Sequence, residues 1–530
     1  MNNNNEIDNQ NDNYKDSNKR DLIIEYFSKI YDSNESDPYI LSKIEYFILN
    51  QLPSNIESLK LNRERNYQKT QEKISDQDSF IQSFLNNYYY FYIPSTERFF
   101  YYNGINYKPY AEEDILNHIF REVSKESHLT TWKQRTKIST LKRIKEQSIF
   151  KSIPNSETIQ SVISMFYPVF FSSKTQTKYF LTILGDNILK KTQGLIYFIN
   201  PIAKNFLREI DNYGQQYFGS HPSSAFKYKY HDHEYSSCRL ININESIKFE
   251  NLYYPFLINY FLDILCVSVH YSNRFNNSDD YLKLYSNDDE LIHYSLYLKD
   301  RSPTDLMQQF CDEYIVKVES TVGYSWKTVH YLWKRFLESK GLPTVIFQNE
   351  LIQFFTINYN YNPIDKNIPG IFSKFIPVIE RFLKFWEETI TIIPTTEFSD
   401  FEIDEIIILF KKWLPVKEGL NITERQALDL IIHFFPGVEN DGEKYLFNIK
   451  SRDFDKEIEL QNKLDSLNMY FQNNIINSIS IDDIYILYCK SAKNNSRIVV
   501  SKLYFEKYVF ENLRGYILED NLISLDFWKK

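Results

Sequence analysis

The sequence predicts an α+β chain, predominantly helical and divided among several domains. Three observations lead there. Its 530 residues exceed what one hydrophobic core ordinarily holds, so two to four domains are expected. A hydrophobic content of 43% with 25% charged residues is globular. Apolar residues recur mostly at three- and four-residue spacing, and short strand-like runs stand beside turn residues.

The element order follows from local pattern. Residues 1–20 are polar and open on four successive asparagines, which predicts a disordered tail. A helical region is expected over 21–95. Its pattern is Leu22, Ile23, Tyr26, Phe27 and Ile30, then Ile40, Ile44, Phe47 and Ile48, and residues 53–78 read as a mobile connection or a solvated helix. A hairpin plus a basic helical domain is expected over 96–150. Phe99 to Tyr102 and Ile105 to Lys108 flank Asn103-Gly104, a strong short-range hairpin signal, and helical patterns follow at 114–123 and 132–147.

Residues 151–300 mix short apolar runs with turns, as an α/β unit does. Residues 301–393 read as helical, with Trp326, Val329, Trp333, Phe336 and Leu337 on one stripe that Gly341 and Pro343 end. An internal echo comes next. Ile403-Asp404-Glu405-Ile406 with Leu409-Phe410-Lys411-Lys412 returns as Ile481-Asp482-Asp483-Ile484 with Leu487-Tyr488-Cys489-Lys490. Each copy runs on into a second helix and a strand-like end. That predicts winged-helix-like units at 400–453 and, behind a linker helix, within 454–530.

Charge and cysteine usage narrow the function classes. A net charge of −9 excludes a molecule that binds polyanions over its whole surface, so such binding needs a local patch. Cys238, Cys266, Cys311 and Cys489 show no paired spacing, which predicts a reducing, intracellular compartment with no disulfide framework. The longest apolar stretch, about 256–269, contains Asn259 and Asp263 and is too short to span a bilayer, so no membrane association is expected.

Three constellations could carry chemistry. Tyr179 to Leu184 runs into Gly185-Asp186-Asn187-Ile188-Leu189-Lys190-Lys191-Thr192, the frame of a phosphate-binding loop with Lys190 in place of its second glycine. Two further runs follow, Leu240 to Glu245 and Leu265 to Val269, the second leading to Asn273. The same 178–191 segment also fits an amphipathic helix, and both readings stand. The helix Trp132 to Gln147 gathers Lys133, Arg135, Lys137, Lys142, Arg143 and Lys145, the local surplus that phosphate neutralisation needs, unless acids such as Glu122 and Glu126 balance it. His231, His233 and Cys238 have spacing a metal could use, with His221 a distant fourth, but a solvent-facing turn is favoured and no metal is expected.

Taken together, the aromatic hairpin over 99–110, the variant loop with its two following runs, and the 483–489 and 500–506 segments resemble the poxvirus-type and phage-plasmid primase-helicases, a superfamily 3 helicase family. The aromatic-rich, asparagine-rich composition resembles that of a giant DNA virus of a protist. The resemblance implies a degenerate ATPase-like core over 151–300, with Gly185, Lys191 and Thr192 at the phosphates, Glu245 at the metal-bound water and Asn273 as sensor. ATP and Mg²⁺ would be its cofactors. Lys190 and the absence of a paired acid beside Glu245 argue against efficient hydrolysis, so enzymatic activity stays open. The implied function is a replication-associated, nucleic-acid-binding viral protein in host cytoplasm or viral factory, with viral replication proteins as partners. The winged-helix units and the 132–147 helix would make the contacts. The alternative is a non-enzymatic viral scaffold.

Overall fold

Aromatic runs within 89–110 build the first sheet. The computed structural model describes residues 5–191, 194–319, 323–393, 399–415, 419–467, 471, 478–493, 498–518 and 521–528. The chain is mostly helical with several small sheets, as expected. It opens on α1 (Asn5–Ser33), α2 (Pro38–Tyr46) and α3 (Leu52–Asn87), with a π-helical turn over Phe47–Gln51 joining the last two. Helix α1 therefore begins inside the segment expected as a disordered tail. The solvated-helix reading of 53–78 matches α3.

The C-terminal end of α3 packs on the antiparallel sheet β1 (Tyr89–Ile93), β2 (Arg98–Tyr102) and β3 (Tyr107–Tyr110). Gly104 takes φ +94 in the β2–β3 turn, where a side chain would be strained. Helices α4 (Glu112–Val123) and α5 (Lys133–Lys145) complete this unit around Phe84, Tyr90, Ile115, Ile119 and Ile144.

The next unit centres on α6 (Ser156–Phe166), α7 (Lys174–Ile188), α8 (Lys204–Phe218) and α9 (Glu250–Phe275). Strand β4 (Ile196–Ile199) lies between β5 (Phe226–Lys227) and β6 (Cys238–Ile241), all parallel. Residues 265–269, expected as a strand, are part of α9. Burial on every side removes the periodicity that would have marked a helix. Helix α9 is long and apolar enough to cross a membrane by length and composition, but 61% of that stretch is buried in protein. Its Asp263 accepts hydrogen bonds from the Tyr107 backbone N–H (2.7 Å) and Asn106 Nδ2 (2.8 Å), tying the hairpin to the helical core.

From residue 303 the chain repeats one topology three times. The first copy is α10 (Pro303–Tyr314), β7 (Gly323–Ser325), α11 (Trp326–Ser339), α12 (Gln348–Tyr359) and β8 (Asn367–Pro369). The second is α13 (Ile376–Thr389), β9 (Asp400–Glu402), α14 (Ile403–Trp413), α15 (Glu424–Phe434), β10 (Glu439–Asn440) and β11 (Tyr445–Phe447). The third is α16 (Lys456–Ser466), β12 (Ser478–Ser480), α17 (Ile481–Lys493), α18 (Lys502–Asn512) and β13 (Leu522–Ser524).

Each copy pairs its first strand antiparallel with its last, and apolar residues meet at the centre: Tyr324 with Ile368, Phe401 with Leu446, Ile479 with Ile523. The first strands begin at 323, 400 and 478, so the period is 77 to 78 residues. The helix after each first strand carries one pattern. It reads Val329-x-x-Leu332-Trp333-Lys334-Arg335, Ile406-x-x-Leu409-Phe410-Lys411-Lys412 and Ile484-x-x-Leu487-Tyr488-Cys489-Lys490. The next helix buries an i, i+4 pair each time: Leu351 and Phe355, Ala427 and Ile431, Phe505 and Val509.

The first two copies share one apolar core with Phe198, Tyr235 and Leu240 of the α/β unit. The third has a core of its own around Leu460, Tyr488, Phe505 and Trp528.

Candidate nucleic-acid interface

Helix α5 has one buried and one solvent-facing side, the latter mainly cationic apart from exposed Ile138. Thr136, Thr140 and Ile144, four residues apart, are buried against the α3–β1 unit, and the Gln77 side chain of α3 donates to Thr136 Oγ1 at 3.2 Å. The opposite face carries Arg135, Lys142, Arg143 and Lys145 into solvent, with Lys133 and Lys137 half-buried at its flanks. Glu122 and Glu126 do not neutralise this face. Glu122 pairs with Lys125 and Arg121, and Glu126 with His128. The acids that do meet the helix are Glu112, 3.3 Å from Lys145, and Glu146, 3.4 Å from Arg143. Lys133, Arg135, Lys137 and Lys142 form no ion pair among the described residues.

Aromatic rings lie among these cations. The Arg135 guanidinium sits 4.3 Å from the Trp132 ring centre and Lys73 Nζ lies 5.9 Å from it. Lys133 stands over Phe120, and Lys145 over Tyr92 and Phe99. Lys73 and Trp132 were not legible as site residues. They lie 59 positions apart and meet only because α3 returns along α5.

The phosphate-loop frame does not form a loop. Residues 179–188 lie inside α7, and Gly185 sits where α7 crosses α9. A Cβ there would fall 2.0 Å from the Ser268 carbonyl oxygen and 2.8 Å from Ser272 Cβ, so glycine serves close helix contact rather than phosphate approach. Lys190 takes φ +56 just past the end of α7, and the Lys191 N–H donates to the Asp186 carbonyl at 2.7 Å, closing the helix.

The Lys191 and Asn273 side chains do come together, at 3.4 Å, but as packing partners. Lys191 Nζ donates to the Ser272 and Asn276 carbonyls at 3.0 and 3.1 Å, where a cation suits the negative end of α9. Asn273 Nδ2 donates to the Phe150 carbonyl. Glu245 is exposed and pairs with Arg425 at 3.2 Å. Thr192 lies outside the described residues. The space beside Gly185 that ATP and Mg²⁺ would need is filled by α9.

Beneath this crossing lies a buried polar group. Asp186 accepts from Ser272 Oγ (2.6 Å) and the Ser278 backbone N–H (2.7 Å); burial pushes its pKa up, partly offset by these bonds. Close by, Arg239 grips Asp279 with two bonds of 2.9 and 2.7 Å. Burial alone would raise the Asp279 pKa, but the Arg239 bonds and charge outweigh it and hold the carboxyl below its ordinary 3.8.

The histidine cluster is not assembled for a metal. Cys238 is buried at the start of β6 with its thiol against the Glu234 carbonyl, and His231 is exposed. No group of three metal-ligating side chains occurs among the described residues.

The helices at 424–434 and 502–512 each dock in part on a neighbouring repeat. His433 of α15 bonds the Lys327 carbonyl at 2.9 Å, and Lys327 Nζ bonds the Phe434 carbonyl at 2.9 Å, so α15 docks on α11 of the first repeat. Helix α18 docks on the second repeat: the Ser501 N–H donates to Glu405 Oε1 at 2.9 Å, and Lys507 pairs with Asp400. Part of each second helix is used in packing between repeats, while Ile432 and Phe510 on them stay exposed.

No protein-family model, characterised protein or solved structure matches this chain.

Proposed function

We propose that the protein binds nucleic acid as a non-catalytic, replication-associated factor, with α5 as the contact. The observation that carries the reading is the cationic surplus on α5, where Lys133, Arg135, Lys137 and Lys142 form no ion pair among the described residues, on a chain of net charge −9. Phosphate backbones are drawn to such a local surplus, and the neighbouring Trp132 ring suits base or sugar contact. Binding of labelled single- and double-stranded oligonucleotides, followed by anisotropy across a salt series, tests it. Affinity should fall steeply with salt. The triple variant Arg135→Glu, Lys142→Glu, Arg143→Glu should weaken binding to all sequences and lower the log–log salt slope by about 3. Binding indifferent to the triple substitution would exclude α5 as the contact.

A second reading, a protein scaffold, is favoured by the repeats. The second repeat holds fourteen acidic and eight basic residues over 376–451, which repels phosphate, and its helix α15 is covered by the first repeat. On that reading the array is a rigid platform for protein partners. Absence of any salt-dependent oligonucleotide binding, together with recovery of viral replication proteins on immobilised full-length chain, would favour it.

A further inference from the structure

The N-terminal arm exposes apolar surface without covering any of it. Fifteen large apolar side chains between Leu22 and Tyr67 are each at least 40% exposed, and no residue from 19 to 76 is buried. Scattered single apolar residues on a surface are ordinary, but fifteen along one arm are not. Helices α1 and α2 are tied by Tyr31 Oη donating to Glu45 at 3.0 Å, and their apolar faces stay open. The faces have regular spacing: Ile23, Phe27 and Ile30 on α1, Leu52, Ile56 and Leu59 on α3. Steps of three and four are those of a helix seam packed against another helix.

We propose that the arm, residues 19–76, is a dimerisation element whose apolar faces are covered by the arm of a second copy of this chain. Charge favours a copy over other occupants. Residues 19–76 carry nine basic and ten acidic side chains, a net of −1 against −9 for the whole chain, so two arms meet with little net repulsion. A bilayer would instead select a cationic excess on the polar face. Area agrees as well. Fifteen side chains of this kind leave on the order of 1,500 Å² in water, and covering about half of it reaches the roughly 800 Å² per partner of a stable interface. An isolated helical arm is also marginal in water, and pairing supplies the packing it lacks.

Light scattering coupled to size exclusion on the full chain tests this. The expected mass is twice 63.7 kDa, halving when Ile23, Phe27 and Leu59 are all changed to Glu. Because none of the three is buried, the melting of the body should not move. With Cys489, the one native cysteine that is not buried, changed to Ser, a Leu59→Cys chain should become a covalent dimer on mild oxidation. A 63.7 kDa species at every concentration, an oligomer that survives the triple substitution, or sedimentation of a monomer with anionic vesicles would each overturn the proposal.

Discussion

At the scale of single residues, two side-chain positions hold the α/β unit together. Gly185 is a contact point rather than a hinge. Gly185→Ala should destabilise the protein by about 1–3 kcal/mol or more, read as a lower urea midpoint, since the intruding Cβ meets the backbone of α9 and not a flexible side chain. Asp279 gives a pH signature. Its carboxyl is held below 3.8 in the fold, so its contribution to stability is complete above that value and lost as pH falls through the lowered one. Asp279→Asn should therefore cost about 3–5 kcal/mol at neutral pH by stranding buried Arg239. The gap to the unmodified protein should narrow as pH falls below 3.8 in urea titrations.

At the scale of elements, legibility in the sequence followed how local the signal was. The Asn103-Gly104 hairpin, the Trp326 stripe and the basic face of α5 were readable because turn chemistry and i, i+4 spacing are local. The Gly185 frame misled because a glycine in a helix and a glycine in a loop look alike until the second helix arrives at Ser268. The echo at 403 and 481 was visible, but its third copy at 326 was not. There Trp326-Lys327-Thr328-Val329 replaces the Ile-Asp-acid-Ile signature, and only the later Leu-aromatic-basic run is kept.

The joint between second and third repeats was also invisible in sequence. Lys456 Nζ lies 2.7 Å from Glu405 and 2.6 Å from the Asp400 carbonyl, wholly buried, 51 residues from its partner. Lys456→Met should cost about 3–5 kcal/mol by leaving a buried carboxylate unpaired. Adding Glu405→Gln should restore only part of it: the stranded charge is gone, but one amide oxygen cannot accept from both the Glu402 and Ser501 N–H groups that the two carboxylate oxygens serve. Thermal melts of the single and double variants check this.

At the scale of the whole molecule, the parts are held together unequally. The first two repeats share one core and should unfold as one block; the α/β unit has its own core around Phe166, Phe180 and Leu265 but is tied to them through Phe198, Tyr235 and Leu240. The third repeat keeps its own core and meets the rest through Lys456, Glu405, Lys507 and Asp400, with a smaller apolar contribution from Phe454 and Ile498. Stability in a stacked array is a sum over such junctions, so the member with the least shared apolar surface is the first to leave. In a cell this makes the C-terminal 75 or so residues the natural point of entry for a protease or an unfoldase. A partial digest there would leave a shortened protein whose basic helix and arm are intact.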